Sequence, residues 1–215
     1  MDRKEILSHV DHTQLKAFAK WEDIDKLCKE AIENNTACVC IPPAYVKQVR
    51  NNYPKLRISV VIGFPLGYNT TSVKVFETKE AINDGADEID MVINIGWAKD
   101  GLFNEITKEI IKIKEACGNH HLKVIIETCY LSEEEKIALC KCVTDSGAEY
   151  IKTSTGFGTA GAKLEDIELF KKHIGPNVKI KAAGGIRTKE DLEAYMNAGV
   201  DRIGCSAAIS ALKEN

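Results

Sequence analysis

Asp145-Ser146-Gly147-Ala148-Glu149-Tyr150-Ile151-Lys152 decides the fold, because the chain writes the same phrase twice more. The other copies are Asn83-Asp84-Gly85-Ala86-Asp87-Glu88-Ile89-Asp90 and Asn197-Ala198-Gly199-Val200-Asp201-Arg202-Ile203-Gly204. Each reads as a helix that stops on a glycine in the left-handed conformation, a tight turn, and a short buried strand. Asn34-Asn35-Thr36-Ala37-Cys38-Val39-Cys40 follows the plan with Asn35 in the glycine's place, a conformation asparagine tolerates.

Working outward, the same alternation fills the chain. Strands are expected at Val10 to Thr13, Ala37 to Ile41, Ile58 to Gly63, Glu88 to Ile93, Leu122 to Glu127, Glu149 to Lys152, Val178 to Lys181 and Asp201 to Gly204. Helical patterns separate most of them, as from Phe103 to Ala116, where Ile106, Ile110, Ile111 and Ile113 are apolar. Ser132 with Glu135 spells a capping box, and Thr188 with Asp191 resembles one. Alternating strands and helices argue for a parallel α/β fold, and eight strands favour a closed (β/α)8 TIM barrel over an open sheet. At 215 residues the loops must be short, and with no linker or low-complexity stretch we expect one domain over residues 1–215.

The totals exclude several classes. A formal net charge of −3 gives no basic field, so no nucleic-acid partner is expected. No apolar run approaches the roughly 18 residues needed to span a bilayer, so no membrane partner is expected. Met1-Asp2-Arg3-Lys4-Glu5 leads into no apolar signal region, which makes the cytoplasm the expected location. In that compartment the eight cysteines would be free thiols. The Cys-x-Cys pairs Cys38/Cys40 and Cys140/Cys142 lack the partners for a four-ligand set, so no metal site is expected.

The register of the repeat places chemistry. Five residues after each turn residue stand Asp90, Lys152, Gly204 and Cys40. Side chains alternate along a strand, so these four should face one way, toward the carboxyl ends where barrel enzymes carry their sites. Lys152 and Lys181 are both expected at strand ends. Desolvation and a second ammonium each lower a lysine's pKa, freeing an amine for Schiff-base chemistry. Asp90 between two amines can move protons through carbinolamine, imine and enamine steps. A lone strand-end lysine is as readily a snorkelling or ion-paired side chain; two of them in register with Asp90 favour the chemical reading. Gly184-Gly185 and the Gly204-Cys205-Ser206 turn follow the last two strands, where barrels commonly hold phosphate on free backbone amides.

Tyr150-Ile151-Lys152-Thr153-Ser154-Thr155-Gly156-Phe157-Gly158 closely resembles the active-site signature of the deoxyribose-phosphate aldolase family. Lys181-Ala182-Ala183-Gly184-Gly185-Ile186-Arg187-Thr188 resembles that family's second lysine motif, and Glu88 to Gly96 its acidic strand. Asp11-His12-Thr13, Val39 to Pro43, Val61 to Gly67 and Lys123 to Thr128 also fit, in collinear order from about residue 9 to 208. The resemblance implies a class I aldolase, a carbon–carbon lyase that needs no metal or other cofactor. Its substrate would be a phosphosugar, 2-deoxy-D-ribose 5-phosphate, cleaved reversibly to D-glyceraldehyde 3-phosphate and acetaldehyde in deoxyribonucleotide and carbohydrate catabolism. Lys152 would form the Schiff base, and Asp90 and Lys181 would move protons. Gly184, Gly185, Gly204 and Ser206 would cradle phosphate, with Gly156, Thr153 and Cys40 as further substrate contacts. Relatives are often dimers, so a homodimer is among the assemblies expected. Phe157 departs from members that carry a lysine there, and Cys205 from members with two serines in the last turn.

Other readings stay open. Cys40 can face substrate or fill the core, Thr153 and Ser154 can orient Lys152 or satisfy backbone, and Glu127 can join the proton relay or make a structural bond. His12 is read as structural. Another Schiff-base aldolase, a sugar-phosphate isomerase or a silent phosphosugar binder could share the barrel. The lysine pair argues against the isomerase, and the intact Asp90, Lys152 and Lys181 set against the silent binder.

Overall fold

A computed structural model describes residues 1–213, so the last two positions of the expected 1–215 domain lie outside the described residues. Eight parallel strands close into a barrel in sequence order: β1 Val10–Thr13, β2 Cys38–Ile41, β3 Ile58–Ile62, β4 Glu88–Val92, β5 His121–Ile125, β6 Tyr150–Lys152, β7 Lys179–Ala183 and β8 Arg202–Cys205. The helices are α1 Arg3–Ser8, α2 Trp21–Asn34, α3 Val46–Asn52, α4 Thr71–Asn83, α5 Ile95–Lys99, α6 Phe103–Cys117, α7 Glu133–Ser146, α8 Leu164–His173, α9 Lys189–Asn197 and α10 Ala208–Ala211. No helix among the described residues is long and apolar enough to cross a membrane.

The local signals act as read. Asn35 (φ 51°) and Gly147 (φ 75°) end α2 and α7 in the left-handed conformation. Ser132 and Thr188 close reciprocal capping boxes with Glu135 and Asp191 at the starts of α7 and α9. All eight strands lie within two residues of their expected bounds, with two informative departures. β5 stops at Ile125 because Glu127 adopts φ 56° and turns the chain out of the ladder. β7 continues to Ala183, pairing Ala182 with Ile203 and Ala183 with Gly204, so Lys181 stands inside the strand and not at its end.

Alternation along the strands sorts the molecule into two interiors. Outward residues such as Ile41, Ile58, Ile62, Met91, Val124, Ile151, Ile180 and Ile203 join Ile24, Ile110, Leu139, Phe170 and Leu192 of the helices in one apolar layer. Burying hydrocarbon between sheet and helices supplies the dominant favourable free energy, about 25 cal/mol per Å2 removed from water. That layer carries the fold, which leaves the inside of the barrel free for polar residues.

Candidate active site

Ions occupy the inside of the barrel. Asp11 on β1 and Glu88 and Asp90 on β4 are three buried carboxylates. Lys123 on β5, Lys152 on β6, Lys181 on β7 and Arg202 on β8 are four buried cations. A lone buried charge costs several kcal/mol, so each must be paired. Lys123 donates to Glu88 Oε2 at 2.6 Å, to Asp90 Oδ1 at 2.8 Å and to Ser59 Oγ at 3.0 Å. Ser59 in turn donates to Asp90 Oδ1 at 2.9 Å. One oxygen of Asp90 is thereby pinned, and the other, Oδ2, accepts from both Lys152 and Lys181 at 2.7 Å. Lys181 also donates to Asp11, Asp11 pairs with Arg202, and Arg202 reaches Glu88 at 3.0 Å, which closes the circuit.

Burial alone would raise the Asp90 carboxyl, but Lys123, Lys152 and Lys181 outweigh it and hold it well below the usual range. Asp11 behaves alike: burial raises it, and Lys181, Lys123 and Arg202 bring it far down. Lys181 is the second charge beside Lys152, and its carboxylate partners fix it. Desolvation lowers it, yet Asp11 and Asp90 together raise it well above an ordinary lysine. It is therefore a firmly held ammonium and not a free amine. Four cations face three carboxylates, so the loss of one proton from one amine leaves this interior neutral.

Above the ions, at the carboxyl ends of the strands, lies a cavity of about 280 Å3. Lys152 is the member of the ionic set that lines it. Gly156, Gly184, Gly185, Gly204 and Ser206 line it too, with Thr155, Lys16 and Arg187. Gly184 and Gly185 take φ of 85° and 78°, which keeps their turn compact. Among the described residues the amides of Gly184, Gly185 and Ser206 donate to no protein acceptor and are available to an anion. The loop after β6 packs backbone to backbone on that turn: a Cβ at Gly161 would stand 2.2 Å from the Gly184 carbonyl oxygen. Ala162 N donates to Gly184 O at 3.1 Å, and Tyr195 Oη donates to Ala162 O at 2.7 Å. A Cβ at Gly204 would meet Ala183 Cβ at 3.0 Å and Lys181 Cε at 3.3 Å.

The structure brings Asp90, Lys152 and Lys181 together and gathers Gly156, Gly184, Gly185, Gly204 and Ser206 around the cavity that Lys152 opens onto. Two expected contacts lie outside that wall. Thr153 Oγ1 donates to Ala183 O and accepts from Ala183 N, both at 3.1 Å, which ties β6 to β7. Cys40 is buried in the barrel interior within the fields of Lys181, Asp90 and Lys152, and desolvation pushes its thiol up. Glu127 makes the structural bond: it accepts from the Thr155 amide at 3.1 Å and from the Thr155 hydroxyl, and burial raises its carboxyl. His12 faces outward to Glu30 at 3.0 Å. Phe157 packs edge-on against Phe64 with ring centroids 5.4 Å apart. Cys38, Asp11 and Glu88 bring ligand atoms within 4.8 Å of one another, but Arg202 donates to all three.

Sequence reasoning gave no role to Lys123, Asp11, Glu88, Arg202 or Ser59. A signal existed: Glu88 lies two residues before Asp90 and Lys123 two before Ile125, inward positions of strands that are otherwise apolar. A charge at such a place needs a partner across the barrel.

The DeoC/LacD family aldolase model matches residues 2–210. A Clostridium botulinum protein (strain Alaska E43) named deoxyribose-phosphate aldolase is 61% identical over 214 residues, 99% of this chain and 97% of that one. Its namesake in Clostridioides difficile is 56% identical over 211 residues, 98% of this chain and 96% of that one. Among solved structures, the aldolase QR15 superposes with a TM-score of 0.92 at 38% identity, covering 96% of this chain and 93% of that one. Deoxyribose phosphate aldolase from Aeropyrum pernix, described as tetrameric, gives 0.88 at 28% identity, covering 98% and 91%.

Proposed function

Because the chain belongs to the DeoC/LacD family of aldolases, we propose that Lys152 is the amine through which it cleaves 2-deoxy-D-ribose 5-phosphate to D-glyceraldehyde 3-phosphate and acetaldehyde. The reaction is reversible and serves deoxyribonucleotide and carbohydrate catabolism. The Lys152 amine adds to C1 of the open-chain sugar, and loss of water from the carbinolamine gives a protonated imine. Removal of the C3 hydroxyl proton then breaks the C2–C3 bond. Its electron pair moves toward the iminium as an enamine, and D-glyceraldehyde 3-phosphate leaves. Protonation of the enamine carbon and hydrolysis release acetaldehyde and the free amine.

Asp90 and Lys181 move the protons. Asp90 Oδ2 touches both amines, so a proton can pass from one to the other across a single oxygen. Lys181 rests as an ammonium held between Asp11 and Asp90, beside the forming imine. The amides of Gly184, Gly185 and Ser206 hold the phosphate, with the Arg187 guanidinium at the rim. The observation that carries this reading is that Lys152 alone among the seven interior ions lines the cavity.

The test is incubation with 2-deoxyribose 5-phosphate and sodium borohydride, followed by peptide mass mapping. A reduced adduct on Lys152 is expected. An adduct on Lys181 would exchange the two lysines' roles, and no adduct on folded protein would sink the Schiff-base reading.

A further inference from the structure

We propose that Lys16, on the loop between β1 and α2, is the side chain that makes this enzyme prefer a phosphorylated substrate; the inference rests on the aldolase reading above. Lys16 lines the cavity that holds Lys152 and the Gly184-Gly185 turn. Among the described residues its ammonium has no carboxylate partner; it stands over the Phe18 ring, 5.8 Å from the centroid. A cation at a cavity wall with no counter-charge of its own is available to a dianion.

Topology gives it a reason to be there. In the closed barrel β8 lies between β7 and β1, so the loops after those two strands flank the turn that carries Gly204 and Ser206. Arg187 follows β7 and Lys16 follows β1. Both are exposed cations on the same cavity, approaching its anion-binding turn from opposite sides.

The loop is placed well enough to aim its side chain. Gln14 N donates to Cys40 O at 3.0 Å at one end, and Tyr45 Oη donates to Ala19 O at 2.8 Å at the other. Within it, Lys16 N donates to Gln14 Oε1 at 3.3 Å and Lys16 O accepts from Ala19 N at 2.9 Å. Opposite, the position after Gly156 carries the uncharged Phe157 ring, edge-packed on Phe64. The β6 side therefore brings no cation to the phosphate beyond Lys152, and the β1 side brings one.

The test compares Lys16→Ala and Lys16→Arg with the unaltered enzyme on 2-deoxyribose 5-phosphate and on unphosphorylated 2-deoxyribose. For Lys16→Ala, kcat/KM on the phosphorylated sugar should fall about tenfold, mostly through KM, as for one solvent-accessible cation–phosphate contact. On the unphosphorylated sugar the change should stay within about twofold, as for a surface substitution that touches nothing else. Lys16→Arg should restore the preference, and raising salt to about 0.5 M should shrink the difference because exposed charges are screened. Equal losses on both sugars, or no loss on either, would overturn the inference. Calorimetric titration with inorganic phosphate separates this failure from failure of the aldolase reading. If the unaltered protein cleaves neither sugar, phosphate affinity must still drop about tenfold in Lys16→Ala, and an unchanged affinity refutes the role of Lys16.

Discussion

Replacing Lys123 by methionine tests whether the interior charge balance governs the chemistry. Lys123 touches no part of the cavity, yet it donates to Glu88, Asp90 and Ser59 from complete burial. In Lys123→Met, Asp90 Oδ1 keeps Ser59 and Glu88 keeps Arg202, but Glu88 loses its shortest cationic partner and Asp90 Oδ1 loses the Lys123 ammonium at 2.8 Å. Breaking a buried ion pair from one side costs about 3–5 kcal/mol. For a chain of this length each kcal/mol shifts Tm by about 2–4 °C, so the midpoint should fall by about 10 °C. The chemical effect follows from counting. With Lys123 gone, three cations face three carboxylates, and losing the proton that the reaction requires leaves a net negative interior. Two ammonium groups bonded to opposite oxygens of one carboxylate stand roughly 6 Å apart. At an effective dielectric of about 20 their repulsion is about 3 kcal/mol, a factor on the order of 100. The borohydride trapping rate at neutral pH should fall by that factor. The assay is single-turnover trapping with 2-deoxyribose 5-phosphate across pH 6 to 9, with a thermal melt of the same sample to establish folding. A folded variant that traps substrate within about threefold of the unaltered enzyme refutes the argument, because about 3 kcal/mol would have no effect.

Two further outcomes follow from the same geometry. Asp11, Asp90 and Glu88 titrate lower in the folded chain than in the unfolded one, since Lys123, Lys181 and Arg202 outweigh the desolvation that would raise them. Their stabilisation is complete above the unfolded carboxyl value of about 4 and drains as pH falls below it. Lys123 and Lys181 titrate higher when folded, because neighbouring carboxylates outweigh desolvation, so their share is lost only as pH rises beyond about 10.4. Tm should therefore be level from about pH 5 to 9 and drop on both sides, with a shallower acid limb in Asp11→Asn; a Tm that rises between pH 5 and 3 contradicts the sign. In Gly161→Ala the new methyl would meet Gly184 O at 2.2 Å and Gly185 N at 2.9 Å, both backbone, so the anion-binding turn must move. KM for the phosphorylated sugar should rise about tenfold or more while trapping at saturating substrate changes little; an unchanged KM would show that the turn does not hold the phosphate.

The order of elements was legible because it is written locally. Gly85, Gly147, Gly199 and Asn35 end helices through their own backbone freedom, and the Ser132 and Thr188 boxes begin helices through bonds three residues apart. Eight such units predict a barrel without reference to distant contacts. Asp90 and Lys152 were found the same way, from their offset to a turn glycine, and the Gly184-Gly185 and Gly204 turns from their place after the last strands. What the sequence by itself determined is thus the alternation, the inward face of each strand, and which residue types stand there. Only the tertiary structure decided how those residues share charge. Lys123 reaches Asp90 across 33 positions and Lys181 reaches Asp11 across 170, and no local pattern encodes either pair. Closure of the barrel puts β1 beside β8, and that contact sets Asp11 where it and Asp90 together hold the Lys181 ammonium. Coulomb energies depend on distance through space and on burial, and the closed barrel sets both.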